Sequence, residues 1–305
     1  MASASRLLNF DTSFNPRTGE PVQVAPLVVR LTAPNDGPFT YTGTNSFIIG
    51  GSSVAVVDPG PDDGAHFAAL LATIAGRPVE AILLTHTHKD HSALAPRLKV
   101  ATGAPLWLEG EHRPSRPPRP FEIDWVKGDS DYGLLPDRRL RDGETFSAGG
   151  VPLEAIATPG HCANHLCFGL AGTPWMLSGD HVMGWNSTMI AVPDGSMEAY
   201  LASLEHVTAL PYRHYLPAHG GPIMEGPDFA AALRQHRLFR NEEIVGAVRD
   251  GSRSLGDLQR AIYPKLAPTL MPAAQMTLRA HIEFLAARGR ITARFGAFGV
   301  QLEPA

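Results

Sequence analysis

Short apolar runs, broken by glycine, proline and polar turns, fill most of the chain. The segment 24–32, rich in Val and Leu, reads as a strand, and 45–50 with 53–58 as a hairpin around Gly50 and Gly51. Asp58-Pro59-Gly60 breaks that pattern. Residues 62–75 then take helical spacing, started by Asp62 or Asp63. The apolar run 79–85 reads as a buried strand, followed by a helix over about 91–102 and a strand at 105–108. The stretch 111–120, EHRPSRPPRP, excludes regular structure because proline removes donors and fixes φ. The polar character persists to about 140, so 111–140 reads as a long surface insertion of the kind that borders an active site. Strand patterns return at 151–157, 165–170, 174–178 and 213–217, with an amphipathic helix over 196–210. Strands alternating with helices imply a layered α/β architecture.

The pattern changes near residue 228. Helices are predicted over 228–249, 255–263 and 273–288, the last with Leu278, Ile282, Leu285 and Ala286 on one apolar face and Gly289 as its cap. Residues 290–303 alternate like a small hairpin. Three helices and a hairpin suggest a winged-helix-like C-terminal domain at 228–305, after a catalytic domain at 1–227.

Charge modifies this picture only slightly. The chain of 305 residues has a net charge of −4, so it is no general attractor of nucleic acid. From residue 230 onward, 11 Lys and Arg face 6 Asp and Glu, a balance of +5 that leaves −9 for the rest. The asymmetry is a weak hint of an acidic contact for the tail, and a solvated helical surface is the favoured reading. The two cysteines, Cys162 and Cys167, make no disulfide framework and suit a reducing compartment. We expect no signal peptide and no membrane span, which makes the cytoplasm the default location.

The chemistry concentrates at Thr85-His86-Thr87-His88-Lys89-Asp90-His91. Imidazole and carboxylate are the common zinc ligands. His86 and His88, two apart beyond a strand, can face one side. Asp90 and His91 fall where a helix begins, so one short segment can serve two metal positions. His161 after Thr158-Pro159-Gly160, Asp180 after Ser178-Gly179, and His219 after Pro217-Ala218 stand at three further strand ends.

Together these motifs (HxHxDH at 86–91, TPGH at 158–161, SGD at 178–180, PAHG at 217–220) resemble those of the metallo-β-lactamase superfamily, over roughly residues 25–225. The resemblance implies an αββα sandwich with the site at the sheet edges. It implies one metal on His86, His88 and His161, a second on Asp90, His91 and His219, and Asp180 bridging them. Asp58 would orient a ligating histidine, or else cap a turn. The implied chemistry is hydrolysis by a metal-bridging hydroxide, with Asp90 as the catalytic carboxylate. Zinc is the expected metal, with manganese or iron as alternatives.

Asp180 argues against a true β-lactamase, and His88 argues against the di-iron oxygen-reductase branch. The tail is similar to that of the β-lactamase-like, endoribonuclease-type group. The substrate is left among an RNA phosphodiester, a thioester (as in a glyoxalase II-like enzyme) and a small ester or lactone. A metal-dependent, non-catalytic nucleic-acid-binding regulator is the alternative from another class. Cys162 reads as a small buried residue, His165 and His181 as either substrate-facing or structural, Trp185 as pocket wall or packing, and Asn45 as turn chemistry.

Overall fold

The structure is a computed structural model that describes residues 8–296 and 299–305. Seven strands form the first sheet: β1 (Val22–Ala25), β2 (Val28–Thr32), β3 (Asn45–Gly50), β4 (Val54–Val57), β5 (Val79–Leu83), β6 (Leu106–Leu108) and β7 (Arg138–Arg139), in that order. The second sheet has five, β8 (Thr145–Ala148), β9 (Val151–Ala157), β10 (Leu166–Leu170), β11 (Trp175–Gly179) and β12 (His214–Pro217), arranged β12-β11-β10-β9-β8.

Alternation along the strands builds the layers. In β3, Phe47 and Ile49 face the second sheet, while Ile48 faces the helices; Val57 and Val56 of β4 and Leu83 and Ile82 of β5 divide the same way. Strands covered on both faces need apolar residues at every position, which is why their sequences read as unbroken apolar runs. Helices α1 (Gly64–Ile74), α2 (Lys89–Ser92) and α3 (Ala95–Thr102) follow strands of the first sheet, and Leu70 and Leu98 pack on its outer face. Helix α4 (Met197–Thr208) covers the second sheet through Tyr200 and Leu204. The result is helix, sheet, sheet, helix.

Four local expectations change. The segment 24–32 is not one strand, because Leu27 takes φ 59° and turns β1 back antiparallel on β2. The helix foreseen over 91–102 is two, with Pro96 in the first turn of α3. Strand β8 was not anticipated: its Phe146 and Ala148 enter the core between sheets while Thr145 and Ser147 face water. Within the insertion, a single 3-10 turn at Lys127–Asp129 and the edge strand β7 are regular.

Beyond the sandwich lie α5 (Gly226–Arg249), α6 (Leu255–Ile262), α7 (Met271–Ala287) and the antiparallel pair β13 (Ile291–Gly296) and β14 (Gly299–Pro304). Ile244, Leu258, Leu278, Ile282 and Leu302 give these elements a core of their own. Ala230 and Leu233 of α5 and Ala280 of α7 also join the core around α4, so the tail is packed onto the sandwich. The insertion is tied to α7 as well: Arg116 donates to Glu283 at 2.8 Å and pairs with Glu122 at 2.6 Å.

Candidate metal centre

The loop from β5 into α2 carries His86 and His88, and the first turn of α2 presents Asp90 and His91. His161 follows β9, Asp180 follows β11, and His219 follows β12. All seven residues therefore emerge from strand ends on one edge of the sandwich. Two glycines let the chain make these exits. Gly160 has φ 145°, and a Cβ there would lie 2.4 Å from the Tyr200 Cα. Gly179 has φ 51°, with His165 Nε2 only 2.6 Å from a would-be Cβ.

The side chains converge as two sets. His86 Nε2 and His161 Nε2 lie 3.0 and 2.9 Å from His88 Nδ1, and Asp180 Oδ2 is 3.6 Å from His161 Nε2. In the second set, Asp90 Oδ2 is 3.3 Å from both His91 Nε2 and His219 Nε2, and Asp180 Oδ1 is 3.6 and 3.3 Å from the same two nitrogens. Metal–ligand bonds of about 2.0–2.1 Å in a tetrahedron put neighbouring ligand atoms about 3.3–3.4 Å apart. Both sets have edges of that order, and the two oxygens of Asp180 turn one to each.

Hydrogen bonds on the far side of each ring fit the same reading. His88 Nε2 faces Asp194 Oδ2 at 2.9 Å, His91 Nδ1 faces Asp58 Oδ2 at 3.0 Å, His161 Nδ1 faces the Met189 carbonyl at 2.8 Å, and His219 Nδ1 the Gly43 carbonyl at 3.2 Å. His86 Nδ1 lies 3.0 Å from Thr85 Oγ1, which itself donates to Asp58 at 2.6 Å and so is left to accept from the ring. With each outer nitrogen carrying the proton, the inner nitrogens present lone pairs to one another. Such an arrangement could hold a cation between them. The buried His91 Nε2 and Asp180 Oδ1 have no hydrogen-bond partner, consistent with atoms meant for a metal.

Electrostatics reinforces the point. Burial, followed by the neighbouring imidazoles of His91 and His88, holds His86 well below the ordinary histidine range. Burial would raise Asp180, but His219 and His91 hold it well below the usual carboxylate range. Burial likewise opposes charge on His219, yet Asp180 and Asp90 push it up to about 9. A proton there is the alternative to a divalent ion, and binding a metal displaces it.

Asp58 takes the orienting position that the sequence resemblance implies: it accepts from the Thr85 backbone at 2.8 Å and fixes both Thr85 and His91. His165 is structural. Its Nδ1 meets Thr158 Oγ1 at 2.7 Å and its Nε2 accepts from the Asp180 backbone at 3.1 Å, so both nitrogens are used. His181 is wholly buried, and burial lowers it to about 3, so it is a neutral core residue. Cys162 is buried with its thiol near Asn164. Trp185 lines the pocket and stacks on Tyr41 at 4.8 Å. Asn45 is no turn residue. It lies in β3, where its amide donates to the Pro217 and Gly220 carbonyls and fastens the loop that carries His219.

Two participants escaped sequence reasoning. Asp194 bridges His88 and His112, with His112 Nε2 at 3.2 Å, and His112 Nδ1 continues to Thr87 Oγ1 at 2.9 Å. The histidines hold Asp194 well below the carboxylate range although burial opposes this.

A cavity of about 520 Å³ opens onto His88, Asp90, His161 and Asp180. Its other walls are largely apolar. Phe39 comes from the β2–β3 connection, Trp125 from the insertion, Met183 and Met189 from the loop after β11, and Leu270 and Met276 from around α7. With 29 % of its side chain exposed, Asp90 is the ligand-set carboxylate most open to this space.

A two-sheet sandwich that brings imidazoles and carboxylates together at one edge, beside a substrate-sized cavity, defines a metal-binding α/β hydrolase. The Metallo-beta-lactamase superfamily model matches residues 40–219, and the chain belongs to that superfamily. It is thus a metallo-β-lactamase-fold hydrolase. The lactamase-like protein vrtG of Penicillium aethiopicum is 29 % identical over 252 residues, covering 79 % of this chain and 75 % of that protein. The atrochrysone carboxyl ACP thioesterase of Aspergillus chevalieri is 28 % identical over 231 residues, 75 % of this chain and 68 % of its own. Among solved structures, a beta-lactamase domain protein from Burkholderia ambifaria superposes with TM-score 0.80 at 23 % identity, covering 100 % of this chain and 99 % of that one. A metallo-beta-lactamase family protein from Thermus thermophilus gives 0.76 at 25 % identity, with 93 % and 100 % covered.

Proposed function

We propose that the protein is a binuclear, metal-dependent thioesterase acting on acyl thioesters. The observation that carries this reading is the apolar cavity beside the two ligand sets, which suits an acyl chain better than a run of phosphates. The thioesterase relatives point the same way. His86, His88 and His161 would hold one ion, Asp90, His91 and His219 the other, with Asp180 between them; zinc is the first expectation, then manganese or iron. Divalent ions there would lower the pKa of water and polarise the thioester carbonyl.

The chain's own residues set the geometry. Asp90 faces the cavity and holds the proton of the attacking water. Asp58 and Asp194 keep the imidazoles aimed inward. The insertion and α7 keep bulk water from the acyl chain. Water oxygen bonds to the acyl carbon, the carbon–sulfur bond breaks, and the thiolate leaves with a proton. We read the tail as a winged-helix-like module whose task is this wall. The free, buried cysteines make the cytoplasm our proposed location; among the described residues, no helix is long and apolar enough to cross a membrane. The endoribonuclease-type reading would apply the same centre to a phosphodiester, and the apolar walls favour the thioester over it.

The test is a substrate panel with metal analysis. Asp180→Ala or His86→Ala should lose bound metal and thioester hydrolysis together, while wild type leaves a generic phosphodiester uncleaved. Full turnover by a metal-free variant, or preference for the phosphodiester, would overturn the proposal.

A further inference from the structure

Arg237 of α5 lines the same cavity. Its side chain is buried, with the residue 3 % exposed. One terminal nitrogen donates to the Thr188 carbonyl, while the buried Nε has no partner. Among the described residues, no carboxylate pairs with this guanidinium. Arg116 is matched by Glu122 and Glu283, and Arg240 by Glu243; Arg30, as buried and also without a carboxylate, donates to the Pro16 carbonyl and lies over the Phe14 ring, and it does not line the cavity. Around Arg237 lie the rings of Tyr200 and Tyr263 and the cation of Arg240. A buried cation without a counter-ion is costly, and Arg237, unlike Arg30, lines a cavity from which an anion can be supplied.

The position is also linked to the metal centre. Thr188, which accepts from Arg237, donates through Oγ1 to the Asp180 carbonyl at 2.8 Å. An anion on Arg237 would therefore be registered to the centre by a short hydrogen-bonded path. The cavity walls as a whole are largely apolar, as an acyl chain requires.

We propose that Arg237 is a specificity-determining residue that receives a carboxylate carried by the acyl group, so that the preferred substrates are thioesters of acyl chains bearing a second carboxyl group. The proposal rests on the thioester reading for its reaction, but its recognition chemistry can be tested apart from it. A guanidinium matches a carboxylate with paired donors, and such charge-assisted bonds are the strong class.

The experiment uses the metal-loaded protein and N-acetylcysteamine thioesters of five- to eight-carbon dicarboxylic acids, each compared with its methyl ester. Wild type should favour the free acids roughly ten- to a hundredfold in kcat/KM. Arg237→Gln should erase that preference by raising KM for the acids far more than for the methyl esters. Arg237→Lys should fall between. No preference in wild type, or an equal loss on both series in Arg237→Gln, would overturn the assignment and leave Arg237 as an anchor for Thr188. Calorimetric titration with non-hydrolysable amide analogues, acid against methyl ester, separates the two readings. Tighter binding of the acid by wild type, abolished in Arg237→Gln, upholds the anion site even where no thioester is turned over. Thioester turnover with equal binding of both analogues upholds the reaction and rejects the anion site.

Discussion

Asp58 and Asp194 show how much of the centre lies behind the ligand atoms. Asp58 accepts from the Thr85 backbone and hydroxyl and from His91. Asp194 accepts from His88 and lies 3.2 Å from His112 Nε2. Removing such a partner frees the ring and costs a metal site about ten- to a hundredfold in affinity. Asp194→Ala should therefore bind its metals about tenfold or more weakly in a chelator-competition titration, with the fold intact by circular dichroism. Unchanged affinity would show that His88 is oriented by other means. That these histidines and aspartates come together was legible because they cluster in known motifs at strand ends. Asp194 was not, because it sits in a Pro-Asp-Gly context that reads as a turn. His112 was hidden in the proline-rich stretch. Their partner His88 is far away in sequence, and no spacing rule links them.

Elements carry a second kind of dependence. Gly160 lets the chain leave β9 against α4 and so places His161; a Cβ there would strike the Tyr200 backbone. Positive φ and overpacking each cost on the order of 1–3 kcal/mol. Gly160→Ala should lose about 3 kcal/mol in urea denaturation, and a loss within experimental error would contradict the close approach. The buried strands β3, β4 and β5 were legible because burial on both faces leaves uninterrupted apolar runs. The division of 24–32 into β1 and β2 was not, since Leu27 adopts positive φ without being glycine. β8 was missed because its TFSA sequence is short and half polar, and only pairing with β9 makes it a strand. The helical tail was legible from its periodicity, but its contribution of Leu270, Met276 and Arg237 to the cavity depends on tertiary placement.

At the scale of the molecule, several histidines outside the metal centre are folded in their neutral form. Burial lowers His66 to about 4, against the smaller pull of Asp63, and lowers His236 to about 4 as well. Burial and then Arg237 hold His281 well below the ordinary range. The unfolded chain, with histidines near 6.5, binds protons that the folded chain does not between pH 6.5 and about 4. Stability is thus intact above pH 6.5 and falls as the pH drops toward 4. His66→Gln, which keeps a polar partner for Ser46, should make the urea midpoint less steep over that interval, and an unchanged slope would contradict neutral burial of His66.

As proposed, the chain hydrolyses acyl thioesters only with metal held by His86, His88, Asp90, His91, His161, Asp180 and His219. The most direct measurement is the rate of acyl-N-acetylcysteamine hydrolysis, followed with elemental analysis as metal is stripped by chelator and then restored. Turnover should fall in proportion to bound metal and return on reloading, with two ions per chain at full activity. Thioester hydrolysis that persists in protein shown to be metal-free, or a fully loaded protein that leaves every thioester intact, would contradict it.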